Sequence, residues 1–78
     1  MESFDAILGC RLRWLRIERH LSRKTVADLL GIPLKLLVAQ ERGKRRIAPL
    51  DLVAYIHLYE VKLSSLFQDL PTGGNNRS

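Results

Sequence analysis

Apolar side chains recur every three or four residues through most of the chain, a spacing that predicts helices rather than strands. The first predicted helix starts after Ser3, whose hydroxyl can cap it, and ends near His20. Its apolar stripe consists of Phe4, Leu8, Leu12 and Leu15. This stripe is the first part of the predicted core.

Two shorter helices are predicted next, with a glycine between them. Ser22 can cap a helix over 23–30, and Gly31 suits the turn because glycine accepts positive φ without strain. Pro33 fits the first position of a helix that runs to about Glu41, since its missing N–H would be unpaired there. Gly43 then suits a left-handed cap, and a basic loop follows. This layout is that of a helix-turn-helix, whose second helix commonly enters the DNA major groove.

Two further helices complete the predicted domain. Pro49 opens the fourth, whose apolar face carries Leu52, Tyr55, Ile56 and Tyr59. A short closing helix contributes Val61, Leu63, Leu66 and Phe67. From Pro71 onward the chain offers nothing to bury, so the tail over 71–78 is expected to be disordered. The sequence therefore predicts an all-α, five-helix fold in one domain over 1–70.

Composition excludes several classes of protein. The single Cys10 cannot form an internal disulfide, no Cys/His spacing suits zinc, and a reducing cytoplasm is the simplest compartment. There is no signal-peptide pattern, and no apolar run approaches the roughly 20 residues of a membrane span. Paired carboxylates, nucleophile spacings and a Gly-rich phosphate loop are all missing. We therefore expect neither an enzyme nor a cofactor.

Positive charge is concentrated in one part of the chain. The net charge is +5, and the segment 11–46 holds eleven of the thirteen Lys and Arg residues but only three acids. Arg23 and Lys24 occupy the first turn of a helix, where cations are unfavourable unless an anion is near. This distribution favours a polyanion such as nucleic acid, or an acidic protein, over a surface that serves solubility alone.

Several short motifs lie at the predicted helix ends and helix contacts. They are Leu8-Gly9, Arg11-Leu12, Leu15-Arg16, Leu21-Ser22, Val26-Ala27, Leu30-Gly31-Ile32, Glu41-Arg42-Gly43-Lys44-Arg45, Pro49, and Val61 with Leu66-Phe67. Together they resemble the lambda-repressor-like (Cro-type, XRE-like) helix-turn-helix family. The resemblance implies a structural ion pair between Arg16 and Glu41 that locks the third helix to the first. Removing one partner of such a pair costs roughly 3–5 kcal/mol of stability if the pair is buried, whereas an exposed pair contributes under about 1 kcal/mol.

The third helix departs from the DNA-binding members of that family, which carry polar residues in its first half. The resemblance places Leu37 inward and four residues outward: Leu34, Lys35, Val38 and Ala39. Leu, Val and Ala form no hydrogen bonds, so their one specific base contact is with a thymine methyl group. Each Leu or Val buried in a protein groove contributes about 1.5–3 kcal/mol. The outward set therefore favours a protein partner, unless the helix rolls and buries Leu34 and Val38.

Other positions also depart from the family pattern. Gln40 stands where Ile or Leu is usual, so a small register shift could expose Leu36 instead. His20 and Glu60 replace residues that are often glycine, which weakens the prediction of two helix ends. Trp14 lies off the main apolar stripe and is expected at the margin of the core, with a partner-facing position as the alternative.

The leading interpretation is a small antiactivator-type transcriptional regulator. The outward face of its third helix would bind a transcriptional activator or another regulatory protein. A basic rim would surround that face, formed by Arg23, Lys24, Arg42, Lys44, Arg45 and Arg46. Small antiactivators of mobile genetic elements are similar in size and fold.

The alternative interpretation is a Cro-type repressor that binds operator DNA as a dimer. Affinity would then come from phosphate contacts by the same basic residues, and Lys35 would be the one strong base reader. The dimer surface would be sought at Tyr55, Tyr59 or the last helix. An antitoxin is a third interpretation, and the sequence leaves the oligomeric state open.

Overall fold

A computed structural model describes residues 3–68, which fold into helices joined by short turns. The helices are α1 (Phe4–Glu18), α2 (Arg23–Leu30), α3 (Leu34–Glu41), α4 (Pro49–Tyr59) and α5 (Leu63–Leu66). The predicted all-α fold with five helices is confirmed. The segment 71–78, predicted to be disordered, lies outside the described residues. Within 3–68, no helix is long and apolar enough to cross a membrane.

Serine side chains start α1 and α2, as predicted. The Ser3 hydroxyl accepts the Ala6 N–H at 3.1 Å, and the Ser22 hydroxyl accepts the Thr25 N–H at 3.0 Å. The start of α3 differs by one residue from the prediction, because Pro33 is the cap rather than the first helical residue. Its backbone is extended, with ψ at 143°, and its carbonyl accepts the first helical hydrogen bond.

Left-handed residues follow all four longer helices. Gly31 and Gly43 have φ of 71° and 73°, as their positions predict, while His20 and Glu60 adopt 57° and 53°. After each of them the next N–H bonds back to a carbonyl five residues earlier. The two ends that lack glycine therefore form in the same way, although a side chain in this conformation costs about 1–2 kcal/mol.

The core lies where α1, α2, α3 and α4 meet. Its buried apolar residues are Leu8, Leu12, Val26, Ala27, Leu37, Ile47, Tyr55, Tyr59 and Leu66. Tyr55 and Tyr59 are buried, which contradicts their candidacy as a dimer surface. At Gly9, α1 approaches α3 so closely that a Cβ would collide with the carbonyl oxygens of Gln40 and Glu41. This close approach fixes where α3 sits.

Candidate functional site

The site is built on α2 and α3, and a buried ion pair attaches α3 to α1. Arg16 Nε donates to Glu41 Oε2 at 2.7 Å, and a second guanidinium nitrogen donates to Oε1 at 3.2 Å. The Arg16 side chain is 8% exposed and that of Glu41 is 0% exposed. Arg16 also donates to the Leu21 carbonyl at 2.8 Å. The expected pair is thus present in its buried, bidentate form.

Arg23, predicted as part of the basic rim, shares this carboxylate. Its Nε donates to Glu41 Oε1 at 3.2 Å, and its side chain remains 39% exposed. Glu41 is therefore one anion that offsets the cation in the first turn of α2. Lys24, the neighbouring cation, pairs with Asp28 at 3.2 Å, and both side chains are exposed. Such an exposed pair holds Lys24 only weakly.

The roll of α3 is fixed by Gln40, which is buried. Its amide donates to Asp51 Oδ2 at 3.1 Å, and its oxygen accepts the Tyr55 hydroxyl at 2.8 Å. Because both ends of the amide are satisfied, Gln40 occupies a core position without the cost of an unpaired polar group. The register shift considered from the sequence does not occur, and Leu36 is only half-buried.

The outward face of α3 is less apolar in area than the sequence indicates. Leu34 is 45% exposed and Lys35 is exposed, but Val38 and Ala39 are half-buried. Leu34 is therefore not a core residue, and Val38 is partly covered. The face presents one large apolar side chain, with smaller contributions from its neighbours.

An open cleft lies beside the first half of α3. Its volume is about 480 Å³, and it is lined by Pro33, Lys35, Leu36, Ala39 and Arg45. We call the three apolar lining residues, Pro33, Leu36 and Ala39, its floor, and the two cations, Lys35 and Arg45, its rim. Pro33 and Leu36 were not among the predicted outward residues, since only the fold brings them beside the basic loop.

The loop after α3 carries exposed cations. Arg42, Lys44, Arg45 and Arg46 are all exposed. In the part of the chain that the structure describes, neither these four nor Lys35 form an ion pair. Arg46 also lines a separate cleft that includes Asp5. Five cations near α3 are thus available to an anionic partner.

Two other arginines, Arg11 in α1 and Arg19 directly after it, serve the fold instead. Arg11 donates to the carbonyls of Leu66 and Gln68, and Arg19 donates to the Tyr59 carbonyl at 2.7 Å while lying 5.4 Å from the centre of that ring. These bonds tie α1 to the C-terminal part of the described chain. The basic segment is therefore divided into structural arginines and free surface cations.

Trp14 is not at the core margin. Its side chain is 61% exposed and borders a cleft of about 220 Å³ between α1 and α5. This cleft shares no lining residue with the one beside α3.

The chain is similar to known helix-turn-helix proteins. The family described as "Helix-turn-helix domain" matches residues 7–65. The restriction-modification controller protein C.AhdI from Aeromonas hydrophila is 29% identical, with a TM-score of 0.74 over 80% of this chain and 94% of that one. The clp gene regulator ClgR from C. glutamicum is 18% identical, with a TM-score of 0.79 over 86% and 87%, a likeness of fold alone. A search of curated proteins gave no match.

Proposed function

The chain belongs to the helix-turn-helix domain family and is a small regulator with the lambda-repressor-like fold. On this basis we propose that it binds duplex DNA. The binding surface is α3 together with the loop over 42–46. The observation that carries the proposal is that five exposed cations cluster around α3 and form no ion pair within the described chain: Lys35, Arg42, Lys44, Arg45 and Arg46. They lie at both ends of the helix that this fold presents to the major groove.

The charge of this surface sets the expected strength and salt dependence of binding. Each phosphate that a cation neutralises releases condensed counterions, so the slope of log K against log salt is about −0.9 per contact. Five contacts predict a slope of about −4 to −5, and affinity should fall by two to three orders of magnitude between about 50 and 200 mM salt. Flanking cations thus supply most of the affinity.

A protein partner is the second candidate, and the exposure of Leu34 favours it. Leu34 lies on an outward face where Lys35 is the one side chain with hydrogen-bonding capacity among the four predicted outward residues. A transcriptional activator with an apolar groove and an acidic rim would fit this surface, giving antiactivator-type inhibition. Single exposed apolar residues are ordinary on protein surfaces, and interfaces usually need a patch of a few hundred Å². Because Val38 and Ala39 are half-buried, they add little apolar area to Leu34, and we therefore place this function second.

The test is a duplex-binding titration across a salt series. A labelled random-sequence duplex is titrated with the wild-type chain, with K44Q/R45Q, and with K62Q, an exposed cation at the start of α5 that serves as the matched control. The loop variant should flatten the salt slope by about 2, and the control should not change it. No retention at the lowest salt, or an unchanged slope for the loop variant, would mean that the DNA function is wrong.

The variant L34Q/V38Q separates the two candidates. Under the DNA function it keeps its salt slope, because neither residue contacts a phosphate. Under the antiactivator function it loses capture of the activator, since glutamine amides cannot fill an apolar groove. Circular dichroism of this variant checks that α3 still folds, because Val38 is half-buried.

A further inference from the structure

The cleft beside α3 combines an apolar floor with a cationic rim, and this combination identifies its ligand. We infer that it receives the 5-methyl edge of thymine in the major groove, with Lys35 and Arg45 on the phosphates that flank that base. This inference rests on the proposed DNA-binding function and specifies what that function reads.

The floor offers no hydrogen bond to a base. Pro33 has no N–H, and its carbonyl already accepts the N–H groups of Leu36 and Leu37 at 3.0 and 3.2 Å. The Ala39 carbonyl accepts the Lys44 N–H at 2.9 Å. Side chains of Leu36 and Ala39 carry no polar atom. A donor or acceptor on a base edge placed here would lose water and gain no partner.

The thymine methyl is the one apolar group that a base pair presents in the major groove. Guanine, adenine and cytosine present only polar groups there, whereas thymine presents this methyl group beside its O4 acceptor. In a duplex every base is also flanked by phosphates, and Lys35 and Arg45 stand at the rim of the cleft. The apolar floor therefore complements the thymine methyl group, and the two cations complement the phosphates that flank it.

Methyl recognition gives modest discrimination. Burial of one methyl group corresponds to about a threefold to fivefold change in affinity. We therefore expect a preference for sites with thymine at one or two positions, on top of binding that depends on salt. 5-Methylcytosine presents the same methyl group and should partly replace thymine.

The experiment starts with selection of duplexes from a randomised pool by the full chain at low salt. The enriched duplexes are then synthesised with deoxyuridine in place of each thymine, one position at a time. One or two positions should lose threefold to fivefold in affinity. At those positions 5-methylcytosine should bind better than cytosine. Deoxyuridine at the other positions should leave the affinity unchanged.

Variants connect the effect to the cleft. A39S places a hydroxyl on the floor and should reduce the discrimination between thymine and uracil. K35M should weaken binding to both duplexes equally, because it removes a phosphate contact and leaves the floor intact. L50S, at an exposed apolar position of α4, is the matched control and should leave the discrimination unchanged.

Two results would overturn the inference, and they differ. Sequence-selective binding that is indifferent to uracil at every position would exclude methyl recognition while leaving the DNA function in place. Failure to retain any duplex at the lowest salt would exclude both, and the cleft would then belong to the protein-partner function.

Discussion

Replacing Glu41 with glutamine removes one charge from a buried pair and leaves Arg16 without its counterion. The glutamine keeps the shape of the side chain and one acceptor oxygen, so the change is mainly electrostatic. Arg16 is 8% exposed and would retain only neutral acceptors, including the Leu21 carbonyl at 2.8 Å. A guanidinium in this position cannot recover the hydration that it lost on folding.

The expected loss of stability is about 3–5 kcal/mol, the range for halving a buried ion pair. A chain of 78 residues has a total stability of roughly 4–12 kcal/mol at about 0.05–0.15 kcal/mol per residue. E41Q should therefore lose at least about a quarter of the total stability, and all of it if that total lies at the low end of the range. R16M should lose a similar amount, moderated because Arg23 remains 3.2 Å from the carboxylate.

The double variant R16M/E41M distinguishes charge from packing. With both charges gone, no buried ion is left unpaired, and the stability should return to within about 1 kcal/mol of the wild type. Urea denaturation followed by far-UV circular dichroism measures all three variants. D28N in the exposed pair of Lys24 and Asp28 is the control and should change stability by less than about 0.5 kcal/mol. Two results would refute the reasoning. One is a loss of stability below about 1 kcal/mol for E41Q, and the other is a double variant that is no more stable than the less stable single variant.

Two further predictions concern stability. H20G and E60G should each stabilise the protein by about 0.5–1 kcal/mol, because both positions adopt positive φ, and an unchanged or lower urea midpoint would contradict this. Burial raises the pKa of Tyr59 to about 12, and its hydroxyl has no hydrogen-bond partner within residues 3–68. The unfolded chain deprotonates first, near the ordinary value of 10.0, so wild-type stability should fall between about pH 10 and 12. Y59F should lose less stability over that interval in urea titrations, whereas an identical alkaline loss would show that Tyr59 does not cause it.

Local signals made most of the fold predictable. Caps at Ser3 and Ser22 and the turn at Gly31 depend on residues within one helical turn, so the sequence alone places them. The one-residue error at Pro33 has the same local origin, since a proline fits both the cap and the first helical position. Glycine preferences mislead at His20 and Glu60, where the contacts of the folded helices override the local cost.

Long-range contacts explain what the sequence could not indicate. The burial of Gln40 depends on Asp51 and Tyr55, which α4 brings to the two ends of one amide. Their separation of four residues on α4 shows that they share a face, but not that the face meets Gln40. The exposure of Trp14 likewise depends on how α5 covers α1. The cleft beside α3 requires the loop residue Arg45 to lie next to residues of the helix, and hydrophobic periodicity does not indicate this.

The last turn of α3 turns polar groups inward, whereas Leu37 is buried and Lys35 exposed as on an ordinary surface helix. Gln40 and Glu41 turn their polar groups inward, where α1, α2 and α4 satisfy them, while Leu34 and Ala39 face outward or line the cleft. An eight-residue helix is not stable alone, so the inward polar contacts set its position. The residues that orient α3 are therefore different from those that would touch a partner. This separation allows orientation and recognition to be tested independently: substitutions at Glu41 report stability, and substitutions at Ala39 report what the face reads.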